Sequence, residues 1–338
     1  MGIVIPLVMV TISCLVIWRT SDGFTVASEY IGRNLSEGVR GATLNAIASS
    51  MPELLTSLFF LFFLNDADGF AGGIGTTAGS AIFNGMVIPA LVILAVTVSG
   101  VTKYIHVTRK VLLRDGISLI VAELVLISLI SGTELTWIHG FILTMMYLLY
   151  LGYMLFSMKK RGEKMEASEE EVKALEEIKV EGKNPFKAII TLDLAHLFVG
   201  GKKINNYIAW PLLLFSTLLM SAACLLLVLA TEWLGFETYS IPFLGEFQGL
   251  NIPLIFLAVI IVSAASSVPD TIISIKDARK GFYDDAVSNA LGSNIFDICF
   301  ALGLPLMIFT LVNGPIEMSQ EIIDLSTELR VLLLFYRV

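Results

Sequence analysis

Long apolar runs alternate with short polar segments along almost the whole chain. Eight of these runs have about the 17–25 residues that an α-helix needs to cross a bilayer. The pattern therefore predicts an all-α integral membrane protein with many spans. The predicted spans cover residues 3–19, 41–64, 74–99, 112–131, 137–157, 208–230, 251–275 and 286–311, and a ninth opens near residue 325.

The apolar runs at the two ends of the chain need separate interpretation. No basic segment precedes the run from Gly2 to Trp18 and no convincing cleavage site follows it, so it is interpreted as a retained membrane helix. The run from Leu325 to Val338 is too short to cross a bilayer by itself. We therefore expect the last helices of the fold to be truncated or absent in this chain.

A charged stretch from Lys159 to about Lys187 divides the apolar runs into two groups and is predicted to be a solvated loop. The predicted organisation is a first membrane repeat at 1–158 with spans 1–5, a cytoplasmic loop at 159–207, and a truncated second membrane repeat at 208–338 with spans 6–9. The piece from Pro185 to Gly200 fits a helix at the membrane surface and a packed linker equally well.

Composition supports the membrane interpretation, because 15% of the residues are charged, against about 25% in a soluble domain. The net charge of −8 argues against a nucleic-acid partner, so the lipid bilayer is the partner expected. The three cysteines lie in apolar runs without metal or disulfide spacing and are typical of small buried side chains. An intramembrane enzyme would need a nucleophile–base pair or a zinc motif, and no histidine lies in a span beside a candidate. We expect neither an enzyme nor a bound cofactor.

Basic residues are confined to alternate loops. Twenty of the 22 occur in or beside the connections between spans 1 and 2, 3 and 4, 5 and 6, and 7 and 8. The other connections, at 65–73, 132–136, 231–250 and 312–324, contain acidic residues and no Lys or Arg. Because Lys and Arg are retained on the cytoplasmic side, this distribution predicts an N-terminus outside the cell membrane.

Two short motifs each occur twice. Ala48–Glu53, with the sequence Ala-Ser-Ser-Met-Pro-Glu, matches Ala265–Asp270, with Ala-Ser-Ser-Val-Pro-Asp. Gly79–Asn84 likewise matches Gly292–Asp297, and both motifs repeat nearly in step. Span 7 lies five spans after span 2, so the two copies run in opposite directions through the membrane. This predicts an inverted repeat of five plus five helices with its substrate site near the midplane.

The spacing within each motif places oxygen atoms on one helix face, because residues three and four apart are neighbours. The prolines of the first motif pair also lack an N–H, which frees the carbonyls of Ala48 and Ala265. Carboxylates, hydroxyls and freed carbonyls are ligands for hard cations such as Ca²⁺ and Na⁺. The side chains selected in this way are Ser49, Ser50, Glu53, Ser80, Asn84, Ser266, Ser267, Asp270, Ser293 and Asp297.

The acidic residues carry this prediction, because a single membrane serine more often bonds its own helix or joins two helices. A carboxylate at this depth is expensive, and no predicted span is expected to hold a basic residue in its middle. Glu53, Asp270 and Asp297 are therefore expected to face a cation or a proton. Glu123 in span 4 has no counterpart, and snorkelling, protonation or pairing with another helix suits it better than a site role. Asn45 could line the same cavity or join helices.

The two motif pairs resemble the α-repeats of the cation/Ca²⁺ exchanger superfamily, and Ser266–Asp297 is similar to the K⁺-dependent Na⁺/Ca²⁺ exchangers. The resemblance implies a ten-helix antiporter fold in which Glu53 and Asp270 are the central Ca²⁺ ligands, shared with Na⁺. It implies that the serines, Asn84 and Asp297 complete the sites. It also implies carbonyl ligands one turn earlier, at Ala46 and Ser263.

The resemblance predicts a secondary antiporter that exchanges Ca²⁺ for Na⁺ by alternating access and works as a monomer. Asp297 is associated with K⁺ transport in the K⁺-dependent branch, but K⁺-independent relatives also carry an aspartate there, so K⁺ coupling stays open. The absence of the Gly-Asn-x-x-Glu pattern favours Na⁺ over H⁺. An antiporter that exchanges H⁺ for Ca²⁺, or carries another divalent cation, remains the alternative, and a cation channel fits less well. Alanine replaces the usual motif glycine at Ala48 and Ala265, and serine replaces threonine at Ser266.

Overall fold

The computed structural model describes residues 2–34, 46–64, 67–100, 102, 107, 109–160, 185–241, 245–279, 281 and 283–337. Helices make up almost all of the regular structure in these ranges. In the first half they are α1 (Val4–Ile31), α2 (Ala46–Ser49), α3 (Met51–Leu64), α4 (Ala67–Ile82), α5 (Ile88–Val98), α6 (Arg109–Ile130) and α7 (Trp137–Lys160). In the second half they are α8 (Pro185–Ile190), α9 (Leu194–Val199), α10 (Asn206–Gly235), α11 (Leu254–Leu257), α12 (Ser263–Ser266), α13 (Val268–Arg279), α14 (Tyr283–Phe296), α15 (Gly303–Asn313) and α16 (Gln320–Arg337).

The structure confirms the predicted all-α membrane architecture. Within the described residues, six helical stretches are long and apolar enough to cross a membrane, and α3 is a shorter apolar helix. Many large apolar side chains on these stretches are exposed, as a lipid-facing surface requires. The six stretches are Val4–Ile31, Ala67–Val98, Trp137–Phe156, Asn206–Gly235, Leu254–Lys276 and Ala286–Asn313.

Four short strands lie in loops that lack basic residues. β1 (Glu134–Leu135) pairs antiparallel with β4 (Ile316–Glu317), and β2 (Thr238–Ile241) pairs with β3 (Gly245–Gln248). The first pair joins the connection after α6 to the connection after α15. These loops therefore meet on one side of the helices, as the predicted topology requires.

The repeated motifs interrupt their helices at matching places. Ser50 lies in a turn between α2 and α3, and Ser267 lies in a turn between α12 and α13. In both copies the proline follows two residues later, where it lacks the N–H that would bond the preceding turn. The second motif pair also distorts its helices, since Phe83–Val87 and Asp297–Ala301 are single π-helical turns. Such turns occur frequently at functional sites.

The segment that leads into α12 packs closely against α4. A third π-helical turn, Ala258–Val262, precedes α12 and contacts α4. A Cβ atom on Gly79 would clash with the Val259 carbonyl oxygen and would lie 2.5 Å from Ser263 Cβ. Glycine is therefore required there for the two repeats to approach each other.

The piece at 185–200 forms two short helices that differ in exposure, and its placement at the membrane surface stays a prediction. Its first helix, α8, leaves Phe186, Ile189 and Ile190 exposed, as at a membrane surface. Its second helix, α9, buries Leu194 and Val199 against α1 and α10. The remainder of the charged loop, residues 161–184, lies outside the described residues.

Candidate cation site

The four interrupted helices bring the two motif pairs into one buried cluster. Every predicted side chain of the cluster is at most 2% exposed. α2 and α3 contribute the first Ser-Ser-x-Pro-acid motif, and α12 and α13 contribute the second. α4 and α14 supply the partner serines, together with the π-turn residues Asn84 and Asp297. Hydrogen bonds join eight of these side chains in two groups, around Ser80 and around Ser293, and their role as ion ligands stays a prediction.

Ser80 on α4 connects the two repeats. Its hydroxyl lies 2.9 Å from Asp297 Oδ2 and 3.4 Å from Glu53 Oε1. Ser267 donates to the Ser80 oxygen over 3.2 Å, and Asn84 Nδ2 lies 3.4 Å from the same oxygen. Ser80 therefore contacts the carboxylates of both repeats, Glu53 and Asp297, and also the side chains of Ser267 and Asn84.

Ser293 on α14 has the matching position beside Asp270. Its hydroxyl donates to Asp270 Oδ1 over 2.8 Å and lies 3.4 Å from the Ser49 hydroxyl. The contacts therefore follow the repeat: each central acid receives the serine from the helix that follows it. Ser293 therefore also meets Ser49 of the opposite repeat, which joins the two motifs.

Five buried oxygen atoms in this cluster have no hydrogen-bond partner among the described residues. Leaving a buried polar group unpaired costs about 1–3 kcal/mol, and more for a charged group. Five such atoms at one place are therefore a strong indication of a ligand with several oxygen contacts. The atoms are Ser50 Oγ, Glu53 Oε2, Asn84 Oδ1, Asp270 Oδ2 and Asp297 Oδ1.

The donor set is entirely oxygen, which suits Ca²⁺, Na⁺ and K⁺ and disfavours soft metals. The described residues contain no group of three or more His, Cys, Asp or Glu side chains that could hold one metal ion. The serine hydroxyls stand between the carboxylates instead. A cation entering this cluster must therefore replace hydroxyl bridges such as that between Ser80 and Asp297.

The backbone oxygens of Ala46 and Ser263 are engaged within their own helices. The Ala46 carbonyl accepts from Ser50 N at 3.1 Å and from Ser49 Oγ at 3.2 Å. The Ser263 carbonyl accepts from Ser267 N at 2.9 Å and from Ser266 Oγ at 3.3 Å. A ligand role for either carbonyl stays a prediction that requires these bonds to be shared or broken. Asn45 lies outside the described residues.

Sequence reasoning missed Asn294. Asn84 Nδ2 donates to Asn294 Oδ1 over 3.0 Å, so this amide joins the π-turn of one repeat to α14 of the other. The sequence signal that could have identified Asn294 is its position directly after Ser293 in the repeated motif, because an amide in an apolar helix needs a polar partner.

The expectation that no span holds a basic residue in its middle was wrong. Arg330 on α16 is fully buried, and its Nη1 lies 3.5 Å from Glu123 Oε1 on α6. The same guanidinium donates to the Ile74 carbonyl over 3.1 Å and to the Thr77 hydroxyl. Of the alternatives for Glu123, pairing across to another helix is the one observed. The ninth run therefore forms an 18-residue helix, Gln320–Arg337, tied to α4 and α6.

A multi-pass helical protein with a buried, oxygen-lined site between two repeats is a membrane ion transporter by class. The sequence model of the sodium/calcium exchanger protein family matches residues 5–156 and 208–337. This match covers well over half of the chain, so the chain belongs to the sodium/calcium exchanger family.

Curated relatives carry related names. Human sodium/potassium/calcium exchanger 5 is 27% identical over 373 residues, covering 93% of this chain and 72% of that protein. Bovine sodium/potassium/calcium exchanger 1 is 46% identical over 79 residues, but these are 23% of this chain and 6% of that protein. The identity in this second alignment is confined to about a quarter of the chain.

Two solved structures share the fold. The crystal structure of an H⁺/Ca²⁺ exchanger, CAX, superimposes with a TM-score of 0.64 over 97% of this chain and 73% of that chain, at 16% identity. The sodium–calcium exchanger NCX_Mj, soaked with Na⁺, superimposes with a TM-score of 0.52 over 99% of this chain and 91% of that chain, at 22% identity. These likenesses confirm the inverted-repeat antiporter fold.

Proposed function

We propose that this protein exchanges Ca²⁺ for Na⁺ across the membrane by alternating access to the buried cluster. The single observation that carries the proposal is the group of five unpartnered oxygens, to which Glu53, Asp270 and Asp297 each contribute one. Carboxylates buried without a cation repel one another, so the empty charged site is costly to move through the membrane. Occupation by Ca²⁺ or by several Na⁺ neutralises that charge in turn, which couples the two fluxes.

In this mechanism Glu53 and Asp270 bind Ca²⁺ directly and bind Na⁺ when Ca²⁺ has left. The serine hydroxyls rotate from their bridging bonds to present lone pairs to the ion, since a hydroxyl can both donate and accept. Asn84 and Asp297 complete the oxygen shell from the π-turns. The Ala46 and Ser263 carbonyls join it where the helix interruptions loosen the adjacent turn.

Potassium is the proposed co-ion. Two central carboxylates balance the charge of Ca²⁺, and Asp297 adds a third negative charge at the same place. The relatives named sodium/potassium/calcium exchangers support this addition by name alone. Exchange of H⁺ for Ca²⁺ is the second candidate, favoured by the fold likeness to CAX and by the ability of buried carboxylates to take up protons.

The proposed orientation has the N-terminus outside the cell membrane and the basic loops inside. Asp68 in the first turn of α4 and Glu237 before β2 both lie in segments without basic residues, 65–73 and 231–250. A cysteine at either position is expected to react with an impermeant thiol reagent added to intact cells, and a cysteine at Lys173 to be protected. The reverse labelling pattern would overturn this orientation.

The decisive test is counterflow in proteoliposomes containing the purified protein. Radioactive Ca²⁺ uptake is measured under an outward Na⁺ gradient, with K⁺ present or absent, and under an H⁺ gradient at clamped membrane potential. Uptake driven by Na⁺ is expected, with the empty-vesicle rate as the control. Uptake driven by H⁺ alone would establish the second candidate. Flux that follows the electrical gradient without a counter-ion would indicate a channel.

A further inference from the structure

One turn away from the central cluster, α13 and α14 share a second polar contact. On α13, Ser274 follows Asp270 by four residues, and on α14, Asn289 precedes Ser293 by four residues. Asn289 Nδ2 donates to Ser274 Oγ over 3.2 Å, parallel to the 2.8 Å bond from Ser293 to Asp270. The two helices therefore carry two successive polar rungs between them.

The side-chain oxygen of Asn289 in this second rung is unpaired. Asn289 is 6% exposed, and its Oδ1 has no hydrogen-bond partner among the described residues. The amide orientation follows from Ser274, which gives its one proton to the Ala286 carbonyl at 3.4 Å and must accept from Asn289. Leaving this buried oxygen unpaired costs about 1–3 kcal/mol, which favours a ligand for it.

The second rung lies between the central site and the basic loops. α13 ends with Lys276 and Arg279, so the second rung lies on the side of the basic loops. Directly beyond it, an apolar cluster closes the space between α5, α13 and α14. The cluster consists of Ile88, Val92, Val96, Ala278 and Ala286. An ion that left Asp270 between α13 and α14 toward the basic loops would meet these oxygens before it met the apolar cluster.

We propose that Asn289 and Ser274 form an inner cation station, through which the transported ions reach and leave Asp270 on the side of the basic loops. The Asn289 oxygen and the Ser274 hydroxyl replace part of the ion's hydration shell while the apolar cluster opens. This assignment rests on the proposed exchange function. It adds an ion-binding step on the side of the basic loops, which the central site by itself does not require.

The first repeat provides a matched control. Thr76 occupies the position related to Asn289, one turn from Ser80 on α4, and is fully buried. Its hydroxyl donates to the Gly72 carbonyl of its own helix over 2.9 Å, so it offers a passing ion little. Thr76→Val keeps the shape of the side chain and is expected to leave ion affinity unchanged at the inner face.

The test compares Asn289→Leu, Asn289→Asp and Thr76→Val in right-side-out and inside-out vesicles. In Asn289→Leu, the KM for Ca²⁺ presented on the basic-loop side is expected to rise about tenfold, the effect of losing one contact to a charged group. The KM at the opposite face and equilibrium Ca²⁺ binding in detergent are expected to stay at wild-type values. Asn289→Asp retains the oxygen and is expected to restore the inner KM.

Equal changes at both faces, or no change at either, would refute the inner station while wild-type exchange upheld the proposed function. If Asn289→Leu does not fold, Ser274→Ala removes a smaller group and tests the same one-sided shift. Absence of Na⁺-driven or H⁺-driven Ca²⁺ uptake in the wild type would refute the proposed function, and the station with it.

Discussion

Replacing Glu53 by glutamine removes one negative charge from the buried cluster and keeps the size of the side chain. The carboxylate is fully buried, with Oε1 at 3.4 Å from Ser80 Oγ and Oε2 unpartnered. At an effective dielectric constant of about 20, a carboxylate attracts a divalent cation about 4 Å away by about 8 kcal/mol. The relief of burying a neutral amide offsets part of this attraction.

If about half of that energy remains as the net effect, Ca²⁺ affinity falls about 1,000-fold. The assay is equilibrium binding of radioactive Ca²⁺ to purified protein, followed by Na⁺-driven uptake in proteoliposomes. Thermal unfolding of the same preparation separates loss of binding from loss of fold. Glu53→Gln is expected to remain folded, because the amide can still accept from Ser80.

Glu134→Gln is the matched control for this substitution. Glu134 is exposed in β1 and faces Glu317 in β4, so the same chemical change occurs away from the cluster. It is expected to bind and transport Ca²⁺ as the wild type does. A Glu53→Gln protein that kept Ca²⁺ affinity within about tenfold of wild type would refute the central role of this carboxylate.

Three further predictions concern other parts of the site. Ca²⁺ affinity is expected to weaken as pH falls, because protons compete for the same carboxylates; binding curves that coincide from neutral to mildly acidic pH would contradict this. If K⁺ is co-transported, removing K⁺ slows exchange in the wild type, and Asp297→Asn makes the residual flux indifferent to K⁺. A wild-type flux that ignores K⁺ at fixed membrane potential would sink the co-ion proposal. Arg330→Leu is expected to lower the free energy of unfolding by about 3–5 kcal/mol, because it removes the cation paired with the buried Glu123 carboxylate, and adding Glu123→Gln is expected to restore much of it. Equal melting temperatures for wild type and Arg330→Leu would contradict a stabilising pair.

Much of the architecture was predictable because a bilayer restricts the chain to helices of known length. The apolar runs predicted the positions of the spans, but helices extend beyond the predicted ends by up to twelve residues, as in α1, which continues to Ile31. The polar continuation from Arg19 to Ile31 packs against α10 and is stabilised by tertiary contacts that hydropathy does not register. The strand pairs in the connections were not predicted, since each joins residues with weak local preference.

The residues that lie together in the central cluster were predictable because their motifs repeat. A duplicated Ser-Ser-x-Pro-acid motif contains both a helix-interrupting proline and a carboxylate. Each of these is unfavourable inside a membrane helix, so their occurrence at matching positions in both repeats indicates function. Asn294 and Arg330 were harder to assign because neither has a polar counterpart in a repeated motif. Arg330 also lies in a run judged too short to span, whereas the structure extends α16 back to Gln320 and places the guanidinium against α4.

The two repeats differ in charge at one paired position of the cluster, where Asn84 in the first corresponds to Asp297 in the second. Both residues lie in π-turns and both leave one oxygen unpartnered, so their geometry is alike while their charge is not. Asn84 uses its amide hydrogens on Asn294 and Ser80, whereas Asp297 can only accept, and does so from Ser80. In the proposed exchange, two central acids neutralise Ca²⁺, and the extra charge of Asp297 requires a further monovalent ion or a proton. In this proposal Asp297 decides the coupling ion, and it directly follows α14, the helix that carries Asn289.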